Sequence, residues 1–184
     1  MPDADLLAAL ATHLNCSFEW LVVTYQHQLY AFALRLSGSP QDAEEIAQDA
    51  FVRAYRALAS YPPERVCTLA LPGWLYRIVL NVYRNRRRIR KLATVSLDAP
   101  EADALLAGAD DGSKQPEAVL ERGEGSHELA VQIAALPHHL RIAVVLRHVE
   151  GLSYAEIATI LGQPIGTVKA NVHRGVRLLR QALA

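Results

Sequence analysis

Two cysteines in 184 residues are too few for a disulfide framework, and Cys16 and Cys67 lack the paired spacing of a metal-binding motif. His13 and Cys16 could share a helix face, but no second pair of ligands stands nearby, so neither metal nor cofactor is expected. The N-terminus has no cationic start followed by an apolar run and a small-residue cleavage site, and no apolar stretch approaches the ~20 residues that span a bilayer. These absences predict a soluble, cytosolic protein in a reducing compartment. Period-two alternation is missing throughout, which excludes a sheet-based fold. Clustered carboxylates with metal spacing, a nucleophile motif and a phosphate-cradling glycine loop are missing too, so no catalytic residue is expected and the chain does not read as an enzyme. Net charge is zero, with 19 Lys+Arg against 19 Asp+Glu, a balance that taken alone argues against a nucleic-acid partner.

The balance hides a segregation. Residues 74–91, "WLYRIVLNVYRNRRRIRK", carry seven cationic side chains and no acid, and residues 164–184 carry Lys169, Arg174, Arg177 and Arg180 with no acid. Helical spacing runs from Phe18 to Leu36, with Gly38 as a stop. Ser39, Pro40 and Asp42 then read as N-cap, first helical position and capping-box partner of a helix reaching about Leu58. Its stripe is Ala43, Ile46, Ala47, Ala50, Phe51, Ala54 and Leu58. A turn-rich segment through Tyr61–Pro63 and Leu71–Gly73 leads into the basic helix. Residues 96–126 are acidic, punctuated by proline and glycine and without periodicity, which marks a linker. Helical pattern resumes near Glu128, broken at Leu136-Pro137, Gly151 and Gly162. The expectation is an all-α fold of two small helical domains, residues 1–92 and 127–184, joined by a flexible acidic linker over 93–126.

In the second domain Ser153 and Glu156 form a capping box for a short helix ending at Gly162, and Pro164 opens another. Helix, tight turn and second helix make a helix-turn-helix. A helical wheel buries Ile165, Val168, Val172, Val176 and Leu179 and turns Thr167, Asn171 and Arg174 outward, where such side chains read base edges in a major groove. Lys169, His173, Arg177 and Arg180 flank that face and suit phosphates. In the basic helix Arg77, Asn81, Arg84, Arg88 and Lys91 line one stripe opposite Leu75, Ile78, Val79, Val82 and Ile89, with Trp74 and Asn85 at the edge. A cationic stripe with interleaved aromatic and amide groups suits phosphates and exposed bases.

Three stretches together, "DAEEIAQDAFVRAYRAL", "GWLYRIVLNVYRNRRR" and "LPHHLRIAVVLRHVEGLSYAEIATILGQPIGTVKANVHR", resemble the extracytoplasmic-function sigma factors, small two-domain transcription initiation factors of bacteria. The resemblance implies a sigma factor that binds core RNA polymerase and directs promoter recognition and DNA melting. It implies that Asp42, Glu45, Gln48, Asp49, Arg53 and Arg56 grip the clamp helices of the largest catalytic subunit. Ser60 and Tyr61 would begin a loop that pockets a flipped base of the minus-10 element, beside Trp74, Arg77, Asn81, Arg84, Asn85 and Arg88. Ser153, Tyr154, Thr167, Lys169, Asn171, His173, Arg174 and Arg177 would hold the minus-35 element as duplex. The flap of the second polymerase subunit and an anti-sigma factor are the further partners implied, with no membrane insertion. The chain departs from many members in having Asn85 in place of Asp, Ala170-Asn171 in place of Ser-Arg, and an apolar, proline-rich loop, "YPPERVCTLALPG"; these differences bear on individual base contacts and leave the fold untouched. A stand-alone DNA-binding regulator is the competing class, but it would need a sensor or dimerisation module where residues 1–92 carry an arginine stripe.

Overall fold

The computed structural model describes residues 3–95 and 124–183, and every regular element among them is helical. The first unit comprises α1 (Asp3–Thr12), α2 (Leu14–Ser37), α3 (Pro40–Ser60), the short α4 (Pro63–Cys67) and α5 (Leu71–Val95). The second comprises α6 (Glu124–Ala135), α7 (His138–Val144) continuing into a π-helical turn at Val145–Val149, α8 (Tyr154–Leu161) and α9 (Ile165–Ala182). The acidic linker falls largely on 96–123, outside the described residues, while helix continues to Val95 before it and resumes at Glu124 after it.

Local rules explain most boundaries. The Ser39 hydroxyl accepts from the Asp42 N–H at 3.3 Å, and Pro40 sits where its missing N–H costs nothing. The reciprocal half of that expected box is not made, because the Asp42 carboxylate reaches across to Arg90. At α8 the box is complete: the Ser153 hydroxyl accepts from the Glu156 N–H at 3.2 Å, and the Glu156 carboxylate accepts from the Ser153 N–H at 2.8 Å. Hydrogen bonds to the charged form hold Glu156 below the usual carboxylate range. Gly162 closes α8 at φ +63°, a conformation that costs a residue with a Cβ.

The buried stripe of α3, Ala43, Ile46, Ala47, Ala50, Ala54 and Leu58, lies as expected, with Phe51 at its edge. Four of those residues are alanine, which lets the apolar face of α2 (Leu21, Tyr25, Leu29, Phe32, Leu36) approach closely. Helix α1 escapes the sequence reading because Leu6, Leu7 and Leu10 make too short a stripe. It packs on α2 and α4, and the Tyr25 hydroxyl ties it down by donating to Asp3 at 2.7 Å. Burial, reinforced by the Asp3 carboxylate, pushes the Tyr25 phenol above its ordinary range.

On α5 the buried residues are Leu71, Leu75, Tyr76, Val79, Leu80, Val82 and Tyr83. Ile89, expected on that covered side, is 55% exposed, because no residue of α5 is buried beyond Tyr83. On α9, Val168, Val172 and Leu179 are buried and Val176 is half-buried as expected, whereas Ile165 is 46% exposed in the first turn.

The two units do not stand apart. One hydrophobic core runs through both, joining Phe32, Leu36, Tyr76 and Leu80 of the first to Ile142, Leu146, Ile157 and Ile160 of the second. At this seam Arg141 donates to the Leu36 carbonyl at 2.8 Å, and Glu150 meets Arg35 and Tyr76. His138 also lies there, and burial, then repulsion from Arg87, His139, Arg141 and Arg84, lowers its pKa to about 4. An unfolded histidine titrates near ~6.5, so unfolding takes up a proton below that pH while the native chain does not. Stability is therefore expected to be full above pH ~6.5 and to fall as pH drops towards the folded value. Thermal melts across that window test this, with His138→Gln expected to flatten the fall.

Candidate nucleic-acid interface

Helix α5 sorts its arginines by direction. Arg77, Asn81, Arg84 and Arg88 are exposed, and Arg77 and Arg84 make no ion pair among the described residues. Arg88 donates to the Asn85 side-chain oxygen at 3.1 Å, which places Asn85 at the stripe's edge as expected. The Lys91 side chain lies outside the described set. Arg86 and Arg90 turn the other way, onto α3. Arg86 binds the Asp49 carboxylate at 2.9 Å and also that of Glu45, while Arg90 is bidentate on Asp42. These partners raise both guanidinium pKa values and keep the groups charged.

This pairing corrects the expectation of one free charged face on α3. Asp42, Glu45 and Asp49 are only partly exposed and are neutralised from within, while Gln48, Arg53 and Arg56 are exposed. Beside them runs an open groove of about 410 Å³ between α2 and α3, lined by Val22, His27, Tyr30, Glu44, Gln48 and Phe51 among others. The exposed apolar residues Val23, Val52 and Tyr55 belong to the same two helices. Sequence reasoning missed the α2 half of this surface, because its exposed apolar residues look like the continuation of a buried stripe.

At the N-terminal end of α5 the Tyr61 and Trp74 rings lie 6.3 Å apart at 59°, and the Arg65 guanidinium covers Tyr61 at 3.8 Å. Trp74 is half-buried against the core, so it serves both as packing and as rim. The Ser60 hydroxyl donates to the Ala57 carbonyl at 2.7 Å, within the last turn of α3. Arg65 was not among the expected site residues; its only sequence signal was a cation inside an apolar loop.

On the helix-turn-helix, Thr167, Lys169, His173, Arg174 and Arg177 are all exposed along α9. Tyr154 is half-buried, with Arg147 over its ring at 4.7 Å and Lys169 at 5.8 Å, so α8 and α9 share a cationic edge. Asn171 departs from expectation: it is 7% exposed and joins Val168, Val172 and Gly175 on the inner face. Among the described residues no group of three or more potential ligands could hold a metal ion, and no helix is long and apolar enough to cross a membrane.

Family models agree with this layout. The Sigma-70 region 2 model matches residues 21–92, and the Sigma-70 region 4 model matches residues 126–179. The chain is 35% identical over 170 residues to the RNA polymerase sigma-H factor of Pseudomonas aeruginosa, covering 91% of this chain and 86% of that one. It is 36% identical over 161 residues to the ECF RNA polymerase sigma-E factor of Escherichia coli K12, covering 86% and 82%. In fold it is similar to the sigma factor RpoE of Bartonella quintana, solved in complex with the anti-sigma factor NepR, with a TM-score of 0.68, 23% identity and coverage of 90% and 96%. With both helical units in place and relatives this similar along most of its length, the chain belongs to the extracytoplasmic-function family of RNA polymerase sigma factors, which direct promoter-specific transcription initiation.

Proposed function

We propose that the first unit docks on core polymerase and captures the minus-10 element as a single strand, and that the second reads the minus-35 element as duplex. One observation carries this: of the basic residues on α5, Arg77 and Arg84 are left exposed and without acid partners while Arg86 and Arg90 are consumed by α3. Unpaired cations on a rigid helix, one turn from an aromatic cleft, suit a strand whose phosphates lie on the stripe and whose bases stack at the rim. Asn81, Asn85 and Arg88 extend that surface. A base flipped into the Tyr61–Trp74 cleft would regain by stacking the few kcal/mol that unstacking costs, so melting would favour sequences whose bases fit.

On the second unit Thr167, His173 and Arg174 are assigned to base edges or nearby phosphates, with Lys169 and Arg177 on the backbone. Asn171 is not assigned a base, since it faces inward. For the polymerase clamp helices the available contacts are Gln48, Arg53, Arg56 and the apolar groove on α2 and α3, with Asp42, Glu45 and Asp49 contributing through whatever charge their arginines leave unscreened. The flap of the second subunit is the proposed contact of the C-terminal unit. Because its structural relatives include sigma factors bound to anti-sigma factors, we assign the same class of regulator to this chain and place its action in the cytoplasm.

Adding the protein to core bacterial RNA polymerase with a pooled promoter library is expected to yield specific initiation from a subset of sequences. Arg174→Ala is expected to weaken upstream duplex binding by about tenfold, corresponding to the loss of a good base or phosphate contact. No stable complex with core enzyme would overturn the proposal.

A further inference from the structure

The seam between the two units is held by a buried polar network as well as by apolar contact. The Glu150 side chain is 6% exposed, yet it carries a charge, pairs with Arg35 at 3.4 Å and accepts from the Tyr76 hydroxyl. Tyr76 is fully buried, packs edge-on against Phe32 at 4.8 Å and accepts in turn from Gln28. Burial, with the Glu150 carboxylate, pushes the Tyr76 phenol far above its ordinary range, so the hydroxyl stays a donor. The π-helical turn ends directly at Glu150 and delivers it to this point. Nearby, α8 seats Ile160 against Gly73, the residue before Trp74.

Closure also has costs. A carboxylate removed from water repays its desolvation only while every partner is in place. Arg87, facing His138 across the seam, has its Nη1 shielded from solvent and without a hydrogen-bond partner, a penalty that opening would relieve. A seam with these terms is balanced, in contrast to a wholly apolar core.

Its size matters for the promoter reading above, on which this inference rests. A compact body of ~150 residues has a radius of gyration of about 15 Å and measures about 40 Å across. Elements centred near minus-10 and minus-35 lie about 25 base pairs apart, or about 85 Å along straight duplex at ~3.4 Å per pair. The closed body cannot hold both. The 28 residues between Val95 and Glu124 can reach about 95 Å when extended, enough to allow separation.

We infer that the packed arrangement is an autoinhibited resting form, latched by Tyr76, Glu150 and Arg35, and that it must open before both promoter elements are engaged together. In a Cys16→Ser/Cys67→Ser background, Gly73→Cys with Ile160→Cys places a removable clamp on the seam: a Cβ at residue 73 would lie 3.8 Å from Ile160 Cγ1. With core polymerase and the promoter library, the oxidised protein is expected to lose at least tenfold in transcription and to recover on reduction. Equal activity of the two forms overturns the inference. A reduced form inactive on every promoter counts instead against the promoter reading, and small-angle scattering without polymerase still decides the latch. There the wild type should match the clamped form, while Tyr76→Phe and Glu150→Gln should expand, with the open population rising about tenfold for each charge-assisted hydrogen bond weakened. A wild type already expanded, or variants as compact as the clamp, overturns it.

Discussion

Gly175→Val is expected to unfold the C-terminal helical unit, at a cost of about 3 kcal/mol. Gly175 is buried on α9 where that helix crosses α7, and a Cβ there would fall 2.4 Å from Val144 Cγ2 and 3.6 Å from both the Leu140 Cβ and carbonyl oxygen. Val144 is itself 3% exposed, so it cannot swing away, and valine adds two methyl groups to a space that does not admit one. Gly175→Ala should be milder, since alanine's better helix propensity returns about 1 kcal/mol against the same clash. Chemical denaturation followed by circular dichroism measures both. A valine variant as stable as the parent would mean that α7 and α9 do not approach this closely. The functional consequence follows from position: Arg174 and Arg177 flank Gly175 on the outer side of α9, and their aim depends on this contact.

Reversing the stripe on α5, Arg77→Glu with Arg84→Glu, is expected to lower promoter opening at least a hundredfold while leaving polymerase binding and thermal stability nearly unchanged. Both side chains are exposed and make no internal ion pair among the described residues, so their effect on folding should stay within about 0.5 kcal/mol. Each lost phosphate contact on a single strand should also flatten the salt dependence by about 0.7 in the log–log slope. Arg86→Ala is the internal contrast. It removes a partner from Glu45 and Asp49, so it should loosen α3 against α5 and change the polymerase face, with little direct effect on strand capture. Open-complex formation measured by permanganate reactivity separates the two. Equal defects from both substitutions would show that the stripe is not the strand-binding surface.

The two arginine classes on α5 illustrate where sequence reasoning stops. Spacing of four, three and four puts Arg77, Asn81, Arg84 and Arg88 on one face, and they are there. Nothing in that spacing reveals that Arg86 and Arg90 find acids 37 to 48 residues earlier in the chain. The same limit led to a free acidic face being expected on α3. Asn171 fails for a different reason. It sits three residues after Val168 and four before Gly175, squarely on the inner stripe, but its polarity suggested solvent and glycine carries no hydrophobic signal. Close approach at Gly175 draws that face inward and takes Asn171 with it.

What local pattern established was the helical content, the caps at Ser39 and Ser153, the turn at Gly162, and which faces of α3, α5 and α9 carry charge. Those features depend on interactions within about four residues, which a linear text displays directly. The union of two helical units through Arg35, Tyr76 and Glu150, groups 74 to 115 residues apart, came from the three-dimensional packing. Such contacts arise from how whole helices settle against one another, and their energy resides in burial and in the desolvation of charges, quantities that no single segment possesses until its distant neighbour arrives.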